Sequence, residues 1–251
     1  MALDTLTTIY SAHTAYLQRV GSALGNDSQP YLVAIQNEID ALFKSYGDVN
    51  VTPKREAKIK EQINAISRKH LQEYTKHVGV ENRELGGYEA EFAATSLDSV
   101  VETQDFESKT PSAAAVNAVA TAKPIQLGEN SWASYQSMLT NYWQKWTAEI
   151  DGAVQAGFIE GQSMSQISNI IYDSISVSKT GTTKKVGDKA WRSAKTMARM
   201  GVNHYANTAR IAFAQDNTDI ITGMTIISVI DSSTSQKCRG LDGEVIKLDD
   251  P

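Results

Sequence analysis

The residues with most chemistry to offer are four histidines, His13, His70, His77 and His204, and a single cysteine, Cys238. A protein zinc site needs about four converging ligands. His70 and His77 share one predicted helix but lie about two turns apart, too far to chelate one ion directly. Cys238 has no cysteine partner, so an internal disulfide is excluded and a cysteine-based metal site is disfavoured. His-Glu-x-x-His, Gly-x-Ser-x-Gly and Cys-x-x-Cys are all absent. Cys238 and His204 could form a thiolate–imidazole pair, but no neighbouring residue orients it, and no catalytic residue is assigned. No metal and no cofactor is expected.

A second chemistry is phosphate contact. Lys179, Lys184, Lys185, Lys189, Arg192, Lys195 and Arg199 crowd one stretch against the single acid Asp188. Its glycines, Gly181 and Gly187, do not make a nucleotide cradle. A P-loop needs Gly-x4-Gly-Lys-Ser/Thr after a strand, and here Gly187 is followed by Asp188. The first six of these bases are therefore candidates for double-stranded DNA rather than nucleotide. The opposite asymmetry lies upstream, where Glu81, Glu84, Glu89, Glu91, Asp98, Glu102, Asp105 and Glu107 face only Arg83. Such runs mark either interaction surfaces or solvated faces, and both readings stand. The net charge of −5 disfavours general nucleic-acid affinity.

With 251 residues, 41% hydrophobic and 21% charged, the chain can bury a core without staples. It has no run of about 18 apolar residues, and its first residues lack a secretory pattern, so no membrane role is expected.

The elements that must position these residues read as helices first. Leu3, Leu6, Ile9, Tyr10, His13, Leu17, Val20 and Leu24 form one stripe that Gly25-Asn26-Asp27 ends. A lone histidine in such a stripe is more often a packed core residue than a ligand. A second helix starts near Ser28 with Pro30 in its first turn. Thr52-Pro53 caps a long third helix. Leu85, Tyr88, Phe92 and Leu97 suggest a separate short helix, with Gly86-Gly87 inside it at a cost of about 1 kcal/mol each. Ser108–Lys123, bounded by proline, reads as an arm or linker with room for a short Ala-rich helix.

Ser131 is expected to cap a helix carrying Trp132, Tyr135, Leu139, Tyr142, Trp143, Trp146 and Ile150, an aromatic stripe suited to a core or a subunit contact. Ser163 and Gln166 fit a capping box. Asp188 is expected to cap the helix that reaches Phe213. The period then changes to β at Met224–Ile230, with Glu244–Leu248 as hairpin partner and Asp242-Gly243 in the turn. The expected fold is mainly α with a small C-terminal β-hairpin, an α+β arrangement. The expected division is a helical module over 1–107, a linker or arm over 108–130, and a second domain over 131–251.

The order of the last elements resembles the Mu F-like head morphogenesis family, the minor head proteins of tailed bacteriophages. That pattern has an Ala-Arg helix ending in Asn-x-x-Arg, a strand, Asp-x-x-Thr-Cys-x-x-Cys, Leu-Asp-Gly and a second strand. Ala198-Arg199, Asn207 and Arg210 match it, as do Asp231, Thr234, Cys238, Leu241, Asp242 and Gly243. Ser235 stands where the first cysteine is usual, and no His-x-x-Cys follows. The resemblance covers roughly the last quarter of the chain and makes 131–251 a Mu F-like domain.

The resemblance implies a structural protein that is not an enzyme. Its partners would be the portal protein, the capsid interior, or both, with double-stranded DNA and further copies of itself as additional expectations. It would be assembled in the host cytoplasm and reside inside the capsid of the virion, with ejection alongside the DNA as a further expectation. With Cys238 alone, the terminal knuckle is expected to be held by hydrogen bonds, with Arg199 or Arg210 pairing Asp231 or Asp242. A phage-encoded enzyme or toxin accessory domain and a DNA-binding regulator are the alternative classes. The acidic total and the lack of a convincing helix-turn-helix argue against the regulator.

Overall fold

The computed structural model describes residues 2–47, 52–101, 107–128, 130–178, 183–228 and 234–248. Among them the fold is mainly helical, with two small antiparallel strand pairs. No helix among the described residues is long and apolar enough to cross a membrane.

Helices α1 (Ala2–Asn26) and α2 (Ser28–Tyr46) follow the sequence reading. Asp27 between them keeps helical angles, φ −62° and ψ −12°, so the stop is a one-residue joint and not a loop. Helix α3 (Pro53–Asp98) starts where Thr52 Oγ1 accepts from the Arg55 amide at 3.3 Å, satisfying one of the orphan N–H groups of the first turn.

Helix α3 does not stop near Val80. It runs unbroken for 46 residues through Gly86-Gly87, where the sequence suggested a separate helix. The reason is tertiary. Helix α4 (Ala113–Ala122) lies so close that a Cβ on Gly86 would stand 2.9 Å from Val116 Cγ1. A Cβ on Gly87 would stand 2.9 Å from Ala113 Cβ. The intrinsic cost of the glycines is offset by close helix packing.

The stretch read as an arm is therefore structured. Ser112 caps α4, and strand β1 (Ile125–Gly128) pairs antiparallel with β2 (Ser131–Ala133). Ser131 lies in that strand and is not a helix cap. The cap is Ser134, whose hydroxyl accepts from the Ser137 amide at 3.1 Å to start α5 (Tyr135–Ile159). This separates the aromatic stripe. Trp143 and Trp146 are buried, while Trp132 rides the hairpin 58% exposed.

Helix α6 (Met164–Ile175) opens with the expected capping box between Ser163 and Gln166. Helix α7 (Val186–Asp216) is followed by β3 (Gly223–Thr225), α8 (Gln236–Leu241) and β4 (Val245–Lys247). β3 and β4 pair antiparallel, with Met224 opposite Ile246. The first strand is shorter than expected, since pairing ends at Thr225; 229–230 lie outside the described residues. Between the two strands stands the short helix α8, which precedes the Asp242-Gly243 turn. Ser235, which stands at the family's first cysteine position, is its N-cap and accepts from the Cys238 amide at 3.2 Å. Gly243 has φ 83°, the positive value the Asp-Gly turn requires.

The chain forms two compact units interleaved along the sequence. One unit comprises Met1–Val20, Glu81–Pro124 and Gly201–Pro251; the other comprises Gly21–Val80 and Ile125–Met200. In the second unit, α6 packs on both α2 and α5 over a core of Leu32, Ile35, Ile39, Ile150, Ile167 and Ile171. Tyr74 and Trp146 each meet Trp143 edge-on, at 6.0 and 5.5 Å between ring centres. In the first unit, Ala90, Val116 and Ala209 form one apolar cluster, and Ala93, Ala94 and Phe213 another. Small alanines there let helix backbones come close.

Candidate functional site

The signature segment builds its site in the first unit. Asn207 and Arg210, four residues short of Ala214 on α7, line a cavity of about 740 Å³. The opposite wall is the β3–β4 hairpin, including Met224, Ile226, Ile246 and Leu248. The α1 residues Leu6 and Tyr10 complete it. Signature helix and hairpin thus line one cavity.

Beside this cavity lies a buried charge cluster. Glu89, on α3, is 0% exposed. Its Oε2 accepts from Arg210 Nη2 at 2.9 Å, and its Oε1 is bonded to His13 Nε2. His13 stacks on Phe92 with ring centres 3.6 Å apart, and the Arg210 guanidinium stands 5.0 Å from the centre of the Tyr10 ring. A buried carboxylate is tolerable only with such partners. Burial raises the Tyr10 phenol above its ordinary pKa; Arg210 opposes this and Glu89 adds to it.

Glu89 was read only as one acid of a charged run. Its spacing held a signal, because Asn82, Leu85, Glu89, Ala93 and Ser96, all buried, recur at three and four residues. A carboxylate in an interior stripe calls for a buried cation. The sequence offered Arg210 but not the pairing.

The described part of the knuckle after α7 is held by hydrogen bonds, and the Asp242 alternative of the expected arginine pairing is not formed. Arg210 pairs with Glu89, and Arg199 Nη2 donates to Ser22 Oγ at 3.1 Å, so neither locks onto Asp242. Asp242 Oδ1 instead accepts from the Ser228 amide at 2.7 Å. Ser228 Oγ donates to the Cys238 carbonyl at 3.0 Å, and the Gly243 amide donates to the Ile226 carbonyl at 2.9 Å. The Thr234 carbonyl accepts from Arg239 Nε at 3.2 Å. Cys238 is exposed with a free thiol. Asp231 lies outside the described residues.

Of the other histidines, His204 Nε2 donates to the Ala120 carbonyl at 2.7 Å. His70 pairs with Glu38 at 2.9 Å and His77 with Asp27 at 3.1 Å. Among the described residues no three His, Cys, Asp or Glu side chains stand close enough to hold a metal ion.

The basic stretch lies in the second unit. Lys179 is outside the described residues, and Lys184 is exposed. Lys185 Nζ bonds Asp173 at 2.6 Å and Ser176 Oγ at 2.9 Å, and Lys189 approaches Glu149 at 3.7 Å. Arg192 donates to the Thr183 carbonyl at 3.0 Å, and Lys195 sits 3.9 Å over the Trp191 ring. Asp188 does not cap its own helix. It is buried and accepts four hydrogen bonds, from the amides and hydroxyls of Ser178 and Thr183. Burial pushes its pKa up, but these donors prevail and hold the carboxyl down to about 2. Asp188 thus ties Ser178 and Thr183 to the first turn of α7.

No protein-family model, no curated protein and no solved structure matches this chain.

Proposed function

We propose that the chain is a structural minor head protein of a tailed bacteriophage, a Mu F-like head morphogenesis protein seated inside the capsid near the portal. The observation that supports the reading is the convergence of the signature. Asn207 and Arg210 line the same cavity as the hairpin residues Met224, Ile246 and Leu248. Asp242 and Gly243 make the bonds that close the hairpin's end. Asn207, Arg210, Asp242 and Gly243, four of the residues that the resemblance orders along the sequence, thereby belong to the same helix-and-hairpin structure. A helix braced on a short ribbon, with its buried charges paired, is suited to docking rather than to turnover.

The test is mass spectrometry of purified particles. The reading expects the chain at low copy number relative to the major capsid protein, in heads assembled with their portal. Particles that lack it, while the infected cell contains it, would sink the proposal.

Contact with double-stranded DNA is a separate part of the reading. Lys185 and Lys189 have acidic partners within the protein, which lowers the positive field they can offer. Retention of the full chain on duplex DNA across a salt series checks this part, since phosphate contacts weaken linearly in log salt. Salt-insensitive or absent retention removes DNA from the list of partners and leaves the head assignment standing.

A further inference from the structure

We propose that the cavity between α1, α7 and the β3–β4 hairpin is a docking cleft for a short peptide segment of a partner protein, one that carries apolar side chains beside a carboxylate. The inference does not depend on the virion reading, because it rests on the chemistry of the walls.

Those walls are one-sided in charge. In a chain of net charge −5, the described residues lining the cavity include Lys123, Arg210 and Lys247 and no acid. Neither Lys123 nor Lys247 has an ion-pair partner among the described residues. Arg210 is already paired with Glu89, so the two lysines are the charges left open to an occupant. The rest of the lining is largely apolar, from Leu6 and Leu97 to Ile221 and Ile226. An occupant must therefore be apolar along most of its length and anionic at one point.

The rim selects a macromolecule over a small amphiphile. Small ligands sit in pockets that bury most of their surface. Here Ile227 and Ile246 line the cavity and are still 39% and 52% exposed, with Val245 beside them more exposed again. Contiguous apolar surface at a cleft edge marks a protein contact. β4 also belongs to a sheet of only two strands, so an extended segment could add to it along backbone hydrogen bonds.

The test is selection from a random-peptide display library against the full-length chain, followed by fluorescence anisotropy with the selected peptides. The expected peptides are rich in Leu, Ile and Phe and carry Asp or Glu. Binding should weaken about tenfold or more with Ile246→Asp. It should also weaken in Lys123→Glu/Lys247→Glu. All three positions are exposed, so circular dichroism should show the variants as folded as the parent. Selected peptides without a carboxylate, or peptides that bind Ile246→Asp as well as the parent, would overturn the proposal. So would cis-parinaric acid bound in a Lys123- and Lys247-dependent way with no peptide enriched, which would make the cleft a fatty-acid site.

Discussion

Arg210 Nη2 meets Glu89 Oε2 at 2.9 Å across 121 residues of sequence, and the carboxylate it meets is fully removed from solvent. The pair fixes the register of α7 against α3 beneath the hairpin, with His13 of α1 on the other carboxylate oxygen. Three helices are thus pinned at one point, directly beside the cavity that the signature residues line.

Removing one partner of this pair should be far worse than removing both. Glu89→Leu leaves a guanidinium facing an apolar wall, and breaking a buried pair this way costs about 3–5 kcal/mol. Glu89→Leu combined with Arg210→Met should recover much of that loss. Urea unfolding of the two single variants and the double checks it. Additive losses would show that the two side chains are not coupled.

Two glycines of the same helix should respond oppositely to alanine. Gly79 has nothing within 4 Å of an added Cβ, so Gly79→Ala should stabilise by about 0.5–1 kcal/mol through helix propensity alone. Gly86→Ala gains the same propensity but drives a methyl to 2.9 Å from Val116 Cγ1 in a packed interior, where overpacking costs about 1–3 kcal/mol. It should be neutral to destabilising, and Val116→Ala should partly rescue it. Thermal melts of the three variants and the rescue pair measure this.

Asp188 should make part of the stability acid-sensitive. Its folded pKa, about 2, lies below the unfolded value of about 3.9. The folded state therefore favours the carboxylate, and the contribution is complete above about pH 4. It fades as pH falls from there towards 2, where the folded group takes up its proton. Asp188→Ala should lower the urea midpoint at neutral pH and flatten its decline between about pH 4 and 2. A midpoint that declines equally in both proteins would show that Asp188 carries no such linkage.

Local chemistry was legible from the sequence. Thr52 and Ser163 begin helices because a hydroxyl satisfies amides within three residues of itself, and Asp242-Gly243 turns the chain because glycine admits positive φ. The stripe containing His13 and the buried Trp143 and Trp146 followed from periodicity, which reports the face a helix must hide. What escaped depends on neighbours distant in the chain. Gly86-Gly87 looked like a bare cost inside a short helix, since propensity cannot see α4 arriving on them. Ser131 looked like a cap, because a three-residue strand has too little pattern to compete with a cap signal. Glu89 looked like one acid of a run that is either an interaction surface or a solvated face, and Arg210 looked available to Asp231 or Asp242. Only the meeting of α1, α3 and α7 decided that these two charges would be buried together, because the free energy of a buried ion depends on what surrounds it and not on its place in the chain.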